Sequence, residues 1–302
     1  MAINQAVLFS KPLHHLDISF SSDELNYEIQ QYLKSNEIYI RLNKKINGKN
    51  LESKNILNNH YRIYDYATNI DSILNLEISD ISINIFEEKF SVNWNAAIDT
   101  NKLDTVNNIK KRYNLSNKEI SDIWNDDKND KVIKLQPGLV VSYIKTLDIF
   151  LINGFYPYMI ELFYNHFYDM NYYVVEFDSK KINWINFRKD ILGATNCSKS
   201  LKTSFRGLMY SKFEVTNPGT NNFIHGSAGP LEGLIERIVH EQSLALSTNP
   251  IGVYLLSRNM QINQFNSWLD NQSIDNLSWI FDETEEKNSD QIQNFLNETL
   301  FI

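Results

Sequence analysis

The stretch Asn222–Glu236, NFIHGSAGPLEGLIE, governs how the chain is read. His225 stands just ahead of Gly226-Ser227, and Pro230 opens a helical pattern with Leu231, Leu234, Ile235, Ile238 and Val239 along one apolar stripe. Glu232 and Glu236 then fall on an adjoining face, one turn apart. Histidine accepts a phosphoryl group well when one ring nitrogen is held by a partner and the other keeps its lone pair. The first turn of a helix offers unpaired N–H groups and the positive end of its dipole, so a phosphate is welcome beside that ring. Glu236 is within reach of the imidazole. Taken alone, the same residues also read as a turn, a helix cap and a surface histidine.

Asn222-x-x-His225-Gly226-Ser227, with a helical glutamate eleven residues after the histidine, resembles the active-site signature of the nucleoside diphosphate kinase family. In that family the histidine is phosphorylated during ping-pong transfer between nucleotides. Other blocks are similar to the family in the same order. Ala6–Phe9 reads as a buried strand that exits at Ser10-Lys11-Pro12, and the resemblance gives Lys11 a contact with the transferred phosphate. Here Leu13-His14-His15 follows where the family usually has Asp-Gly. Asn55–Tyr61 reads as a short helix ending in His60-Tyr61, and the resemblance assigns the Tyr61 hydroxyl to holding the phosphate side of the histidine. Phe155-Tyr156 starts a helix that in the family supplies an aromatic for base stacking, so either ring is implicated.

Arg188-Lys189 leads to Gly193-Ala194-Thr195-Asn196, similar to the family's Arg-x-x-x-Gly-x-Thr-Asn. Strict spacing puts Lys189 at the arginine position with Arg188 beside it, and a lysine cannot reproduce a bidentate fork. Thr195 is implicated through its hydroxyl. Ser204-Phe205-Arg206-Gly207 matches Thr-Ile-Arg-Gly, with Arg206 as phosphate clamp, while Asn222 and Ser227 support the loop. The chain has Ala228 where the family commonly has an aspartate that organises magnesium-bound water.

The rest of the sequence sets bounds. The chain has 302 residues, 42% of them hydrophobic, enough for a substantial core and more than one structural unit. A net charge of −8 without a long basic run argues against a nucleic-acid partner. One cysteine, Cys197, excludes an internal disulfide framework and a cysteine-based zinc cluster. No stretch approaches a membrane span and no signal peptide precedes the first strand pattern, so a soluble cytoplasmic protein is expected.

Along the chain, the capping box Ser21–Glu24 starts a helix reaching Ser35, and Ile38–Leu42 and Tyr172–Phe177 read as strands. The alternation Ile81, Ile83, Ile85 predicts a strand. Leu103–Tyr113 and the capping box Ser116–Glu119 predict two short helices, and Leu139–Leu151 predicts an apolar helix. Asp126–Lys131 reads as a charged turn and Asp282–Asp290 as a solvated charged stretch.

The organisation expected is therefore 1–63 and 154–245 as two parts of one nucleoside diphosphate kinase-like domain, 64–153 as an insertion of mixed strand and helices, and 246–302 as a helical C-terminal extension. The fold implied by the resemblance is α/β (α+β), a ferredoxin-like antiparallel sheet sandwich. The function implied is an NTP-dependent phosphotransferase using Mg2+ with ATP or another NTP. It acts through phospho-His225 on a nucleoside diphosphate or on another metabolite or protein selected by the insertion, in a chain free to form homo-oligomers. The alternative is a nucleotide-binding regulatory or interaction module with weak or no turnover.

Overall fold

The computed structural model describes residues 3–61, 64–75, 78–126, 132–136, 138–242, 244–270 and 280–301. In chain order the strands among them are β1 (Ile3–Ser10), β2 (Tyr39–Asn47), β3 (Leu103–Asp104), β4 (Ile133–Gln136), β5 (Leu139–Ile144), β6 (Ile149–Ile152), β7 (Asp169–Asp178) and β8 (Ile224–Gly226). The chain divides into two compact units. Unit 1 holds residues 1–56, 163–270 and 283–302, and unit 2 holds residues 57–162 and 271–282.

Unit 1 is built on a four-stranded sheet of order β2-β7-β1-β8. Every neighbouring pair is antiparallel, with Val7 opposite Val174 and Phe9 opposite both Tyr172 and His225. The run Ala6–Phe9 is buried at every position, as a central strand covered on both faces must be. On one face Ala6, Leu8, Tyr173, Val175 and Phe177 pack with Leu25, Ile29 and Leu33 of the Ser22–Ser35 helix and with Phe205 and Met209 of the Phe205–Phe213 helix. That first helix begins at the expected capping box, in which Glu24 N–H donates to Ser21 Oγ and Ser21 N–H to Glu24 Oε2. Against β1 also pack the helices Pro230–Glu241, Pro250–Ser257 and Ser289–Thr299. Two helices of the stretch expected as an extension, Pro250–Ser257 and Ser289–Thr299, thus belong to unit 1 and touch its central strand.

Unit 2 carries its own sheet, of order β3-β6-β5-β4, and a core in which Phe86, Trp94, Leu139, Val141, Phe150 and Ile152 meet. Two expectations fail here. Ile81, Ile83 and Ile85 lie in a helix, Asp80–Phe90, capped by the Ser79 side chain, which accepts from Ser82 N–H. The stripe that packs is Ile83, Phe86 and Phe90, at helical spacing, while Ile81 and Ile85 face outward. Leu139–Leu151 is not a helix but the β5–β6 hairpin, with Ile144 opposite Ile149. Its β-branched residues suit strands, and Asp148 turns the chain in the left-handed region at φ 50°. The helices Val106–Tyr113 and Asn117–Trp124 form as expected, the second from the Ser116–Glu119 box, although Leu103–Asp104 pairs as a strand instead of joining the first. The turn expected at Asp126–Lys131 lies, beyond its first residue, outside the described residues.

Candidate functional site

His225 sits at the centre of β8, opposite Phe9 of β1. The register places both rings on one face of the sheet, and they stack at 4.3 Å between centroids with planes 13° apart. Just before the strand the backbone makes a tight turn, in which Ile224 N–H donates to Asn222 O at 2.8 Å around Phe223 at φ 68°. A buried aromatic in that conformation is strained, at a cost of roughly 1–3 kcal/mol, and its neighbours hold it there. Asn222 Nδ2 donates to Thr195 O (2.8 Å) and Gly219 O (3.1 Å), and Lys11 N–H donates to Phe223 O (2.8 Å).

A hydrogen-bonded series runs from the sheet to the imidazole. Val7 N–H donates to Ser227 Oγ at 2.9 Å, Ser227 Oγ–H donates to Glu236 Oε2 at 2.6 Å, and Glu236 Oε1 lies 2.7 Å from His225 Nε2. Ser227 and Glu236 are buried and the His225 side chain is 15% exposed. The Pro230–Glu241 helix comes this near because Gly233 has no side chain. A Cβ there would lie 3.1 Å from Gln5 O and 3.3 Å from Ser227 Oγ. Burial, then the charges of Lys11 and Arg206, hold the His225 pKa well below the usual histidine range, so the ring is neutral at neutral pH. A carboxylate oxygen faces Nε2, and the tautomer that suits this contact carries the ring proton there and donates it to Glu236. The lone pair then resides on Nδ1.

One turn nearer the start of the helix, Glu232 Oε2 accepts Ala228 N–H at 2.6 Å. Burial and the neighbouring Glu236 charge push the Glu232 pKa up to about 8, against the Ala228 bond and Arg188, which pull it down, while Glu285 adds to the rise.

The cations are more committed than the motifs suggested. Lys11 Nζ donates to Thr220 O at 3.1 Å, and burial with the Arg206 charge brings its pKa down to about 7. Arg206 is buried, its Nη1 donating to Gly193 O (2.7 Å) and its Nε and Nη2 to Ile224 O (3.3 and 2.9 Å). Its fork therefore ties the strand residue before His225 to the loop after the Phe187–Leu192 turn. That turn is a π-helix, closed by Gly193 N–H on Arg188 O, a rare form often met at functional sites. Arg188 is paired with Glu285 and with Glu286 at 3.0 Å, while Lys189 is exposed. Thr195 is exposed too, and its carbonyl is the acceptor for Asn222.

Unit 1 thus gathers His225, Glu236, Ser227, Lys11, Arg206, Asn222 and Thr195 through these bonds. Tyr61, Phe155 and Tyr156 belong to unit 2, where Tyr61 meets Tyr156 edge to face at 5.5 Å and Phe155 lies against Trp124 at 5.9 Å. Four residues at or beside the site carry no clear signal in the sequence. Phe9 needed the strand register to be seen under the imidazole. Glu232 is marked only by its place in the first turn, and Glu285 and Glu286, in a stretch whose composition reads as solvated, are paired with Arg188.

No protein-family model matches the chain, and no curated protein sequence matches it. Among solved structures, a nucleoside diphosphate kinase from Encephalitozoon cuniculi is similar over 79% of this chain and 89% of that chain, at 12% identity and a TM-score of 0.38. The Aquifex aeolicus nucleoside diphosphate kinase is similar over 81% of this chain and 99% of that one, at 10% identity and a TM-score of 0.33. The likeness is distant. No described helix is long and apolar enough to cross a membrane.

Proposed function

We propose that the chain is an NTP-dependent phosphotransferase that works through phospho-His225. The observation that carries this reading is the Ser227–Glu236–His225 series, which sets a carboxylate oxygen 2.7 Å from Nε2 of a ring whose pKa is lowered by burial; the tautomer that suits this contact is protonated on Nε2. In the first half-reaction Nδ1 attacks the γ-phosphorus of a magnesium-bound nucleoside triphosphate. An N–P bond forms, the bond from phosphorus to the β,γ-bridging oxygen breaks, and the nucleoside diphosphate leaves with that oxygen and the bond's electrons. The ring becomes positive as it attacks, and Glu236 stabilises that charge through the Nε2–H bond. Protonated Lys11 faces the phosphoryl oxygens. In the second half-reaction an oxygen of the acceptor, a nucleoside diphosphate or another small molecule or protein, attacks the same phosphorus and the ring leaves neutral.

The strand order β2-β7-β1-β8, antiparallel throughout and with the Ser22–Ser35 helix between β1 and β2, supports the ferredoxin-like reading of unit 1. The test is incubation with γ-labelled ATP and Mg2+. Acid-labile label is expected on the wild type and not on His225→Ala, and a chase with nucleoside diphosphates is expected to remove it.

A second reading, a nucleotide-binding module without turnover, is favoured by one observation. Arg206 is engaged by Ile224 O and Gly193 O, and Arg188 by two glutamates, so neither fork is aimed at a ligand in this state. ATP binding with no label on His225 would decide for it.

A further inference from the structure

The residues Thr284–Glu286 are docked onto the loop that follows His225. Glu286 N–H donates to Ala228 O at 3.0 Å, and Thr284 O lies so near Gly229 that a Cβ there would sit 2.6 Å from it. The docking is anchored on its far side: Asn288 Oδ1 accepts from Asn4 Nδ2 (2.7 Å) and Trp184 N–H (3.0 Å), and Ser289 N–H donates to Asn4 Oδ1 at 2.9 Å. Thr284 and Ser289 are each 2% exposed. From this strap the carboxylates of Glu285 and Glu286 both reach Nη1 of Arg188, a side chain only 27% exposed. Two anionic groups, carried by a strap bonded to the loop that follows the proposed nucleophile, therefore converge on one guanidinium. A phosphate chain would make the same contact with the same donor.

We propose that Thr284–Glu286 is an autoinhibitory acidic latch, in which Glu285 and Glu286 hold Arg188 as a phosphate chain would, so that a polyphosphate ligand must displace the strap to engage Arg188. The proposal rests on the phosphotransferase reading of the same site. It has a clear energetic form: the contacts on Arg188 are partly exposed ion pairs, individually weak, so a ligand with several phosphates competes effectively with them. The apparent affinity of the site is then the intrinsic affinity reduced by the fraction of molecules whose latch is open. Asn288, Ser289 and Asn4 keep the far end in place, so the segment that moves is short.

The test uses inorganic tripolyphosphate as probe with the full chain, and compares the wild type with Glu285→Gln/Glu286→Gln, which keeps the shape and removes both charges. Titration calorimetry is expected to give binding about threefold to tenfold tighter in the double variant. Adding Arg188→Gln to that background is expected to abolish the gain. Hydrogen exchange at the Glu286 amide is expected to rise in the wild type when tripolyphosphate is added, because its bond to Ala228 O opens. Equal affinity in wild type and double variant, no binding by either, or no change at the Glu286 amide overturns the latch. The labelling of His225 by γ-labelled ATP is read separately. Label without displacement refutes the latch alone, and displacement without label refutes the phosphotransferase alone.

Discussion

Replacing Glu236 with glutamine tests whether the carboxylate works on the imidazole during phosphoryl transfer or merely fills space. The near-isostere keeps the shape and one acceptor oxygen for His225 Nε2–H, turns the other acceptor into an N–H2 donor to Ser227 Oγ, whose hydroxyl can turn to Val7 O at 3.2 Å, and removes the negative charge. A hydrogen bond to a charged group contributes about 1.5–3 kcal/mol and a neutral one about 0.5–1.5, so the substitution forfeits roughly 1–2 kcal/mol as the ring turns positive. Since about 1.4 kcal/mol is a factor of ten in rate, phosphorylation of His225 should slow by about fivefold to thirtyfold. The assay is single-turnover formation of acid-labile label from γ-labelled ATP at saturating nucleotide, which separates the chemical step from binding. The side chain is buried among partners it keeps, so the thermal midpoint should change little. A labelling rate within about twofold of wild type, with the fold intact, would refute the role given to Glu236, because so small a change lies below the charge contribution estimated above.

Further outcomes follow from the same geometry. Lys11 titrates at about 7, so labelling that depends on its positive charge should fall as pH rises through about 7, and Lys11→Gln should flatten that limb. The sign for stability is opposite: the unfolded chain binds the lysine proton more readily, so wild type should gain stability relative to Lys11→Met as pH rises from about 7 to the ordinary lysine range, read from urea midpoints. Phe9→Ala removes a fully buried ring that stacks on His225 and meets Phe163 edge to face, and should cost about 3–5 kcal/mol in urea unfolding. Gly233→Ala forces a Cβ to within 3.1 Å of Gln5 O, which should cost about 1–3 kcal/mol and slow labelling by shifting Glu236 from the ring, with unchanged labelling counting against that coupling.

Much of unit 1 is visible in the sequence because its signals are local. The buried run at Ala6–Phe9, the Ser21–Glu24 box and the proline that opens the Pro230–Glu241 helix act over a few residues, and each element formed where they stand. His225 and Glu236 could be paired from sequence for the same reason, since only a turn and less than two helical turns separate them, whereas the bond from Ser227 to Glu236 came only with the structure. In unit 2 local signals compete. Three isoleucines at alternate positions fit a strand, yet the Ser79 cap and the spacing of Ile83, Phe86 and Phe90 fit a helix, and core packing chooses the helix. In Leu139–Leu151 a continuous apolar run suits either state, and pairing across the hairpin settles it.

The chain by itself determined which histidine meets which carboxylate and that a helix begins beside them, because those relations are set by covalent spacing and helix periodicity. Tertiary structure decided what surrounds them: Phe9 beneath the imidazole, Arg206 spent on Ile224 and Gly193, and Glu285 and Glu286 drawn onto Arg188. Those partners lie from 13 residues apart, for Arg206 and Gly193, to 97 for Arg188 and Glu285 and more than twice that for Phe9 and His225, and strand register and burial bring them together, which no short-range pattern encodes.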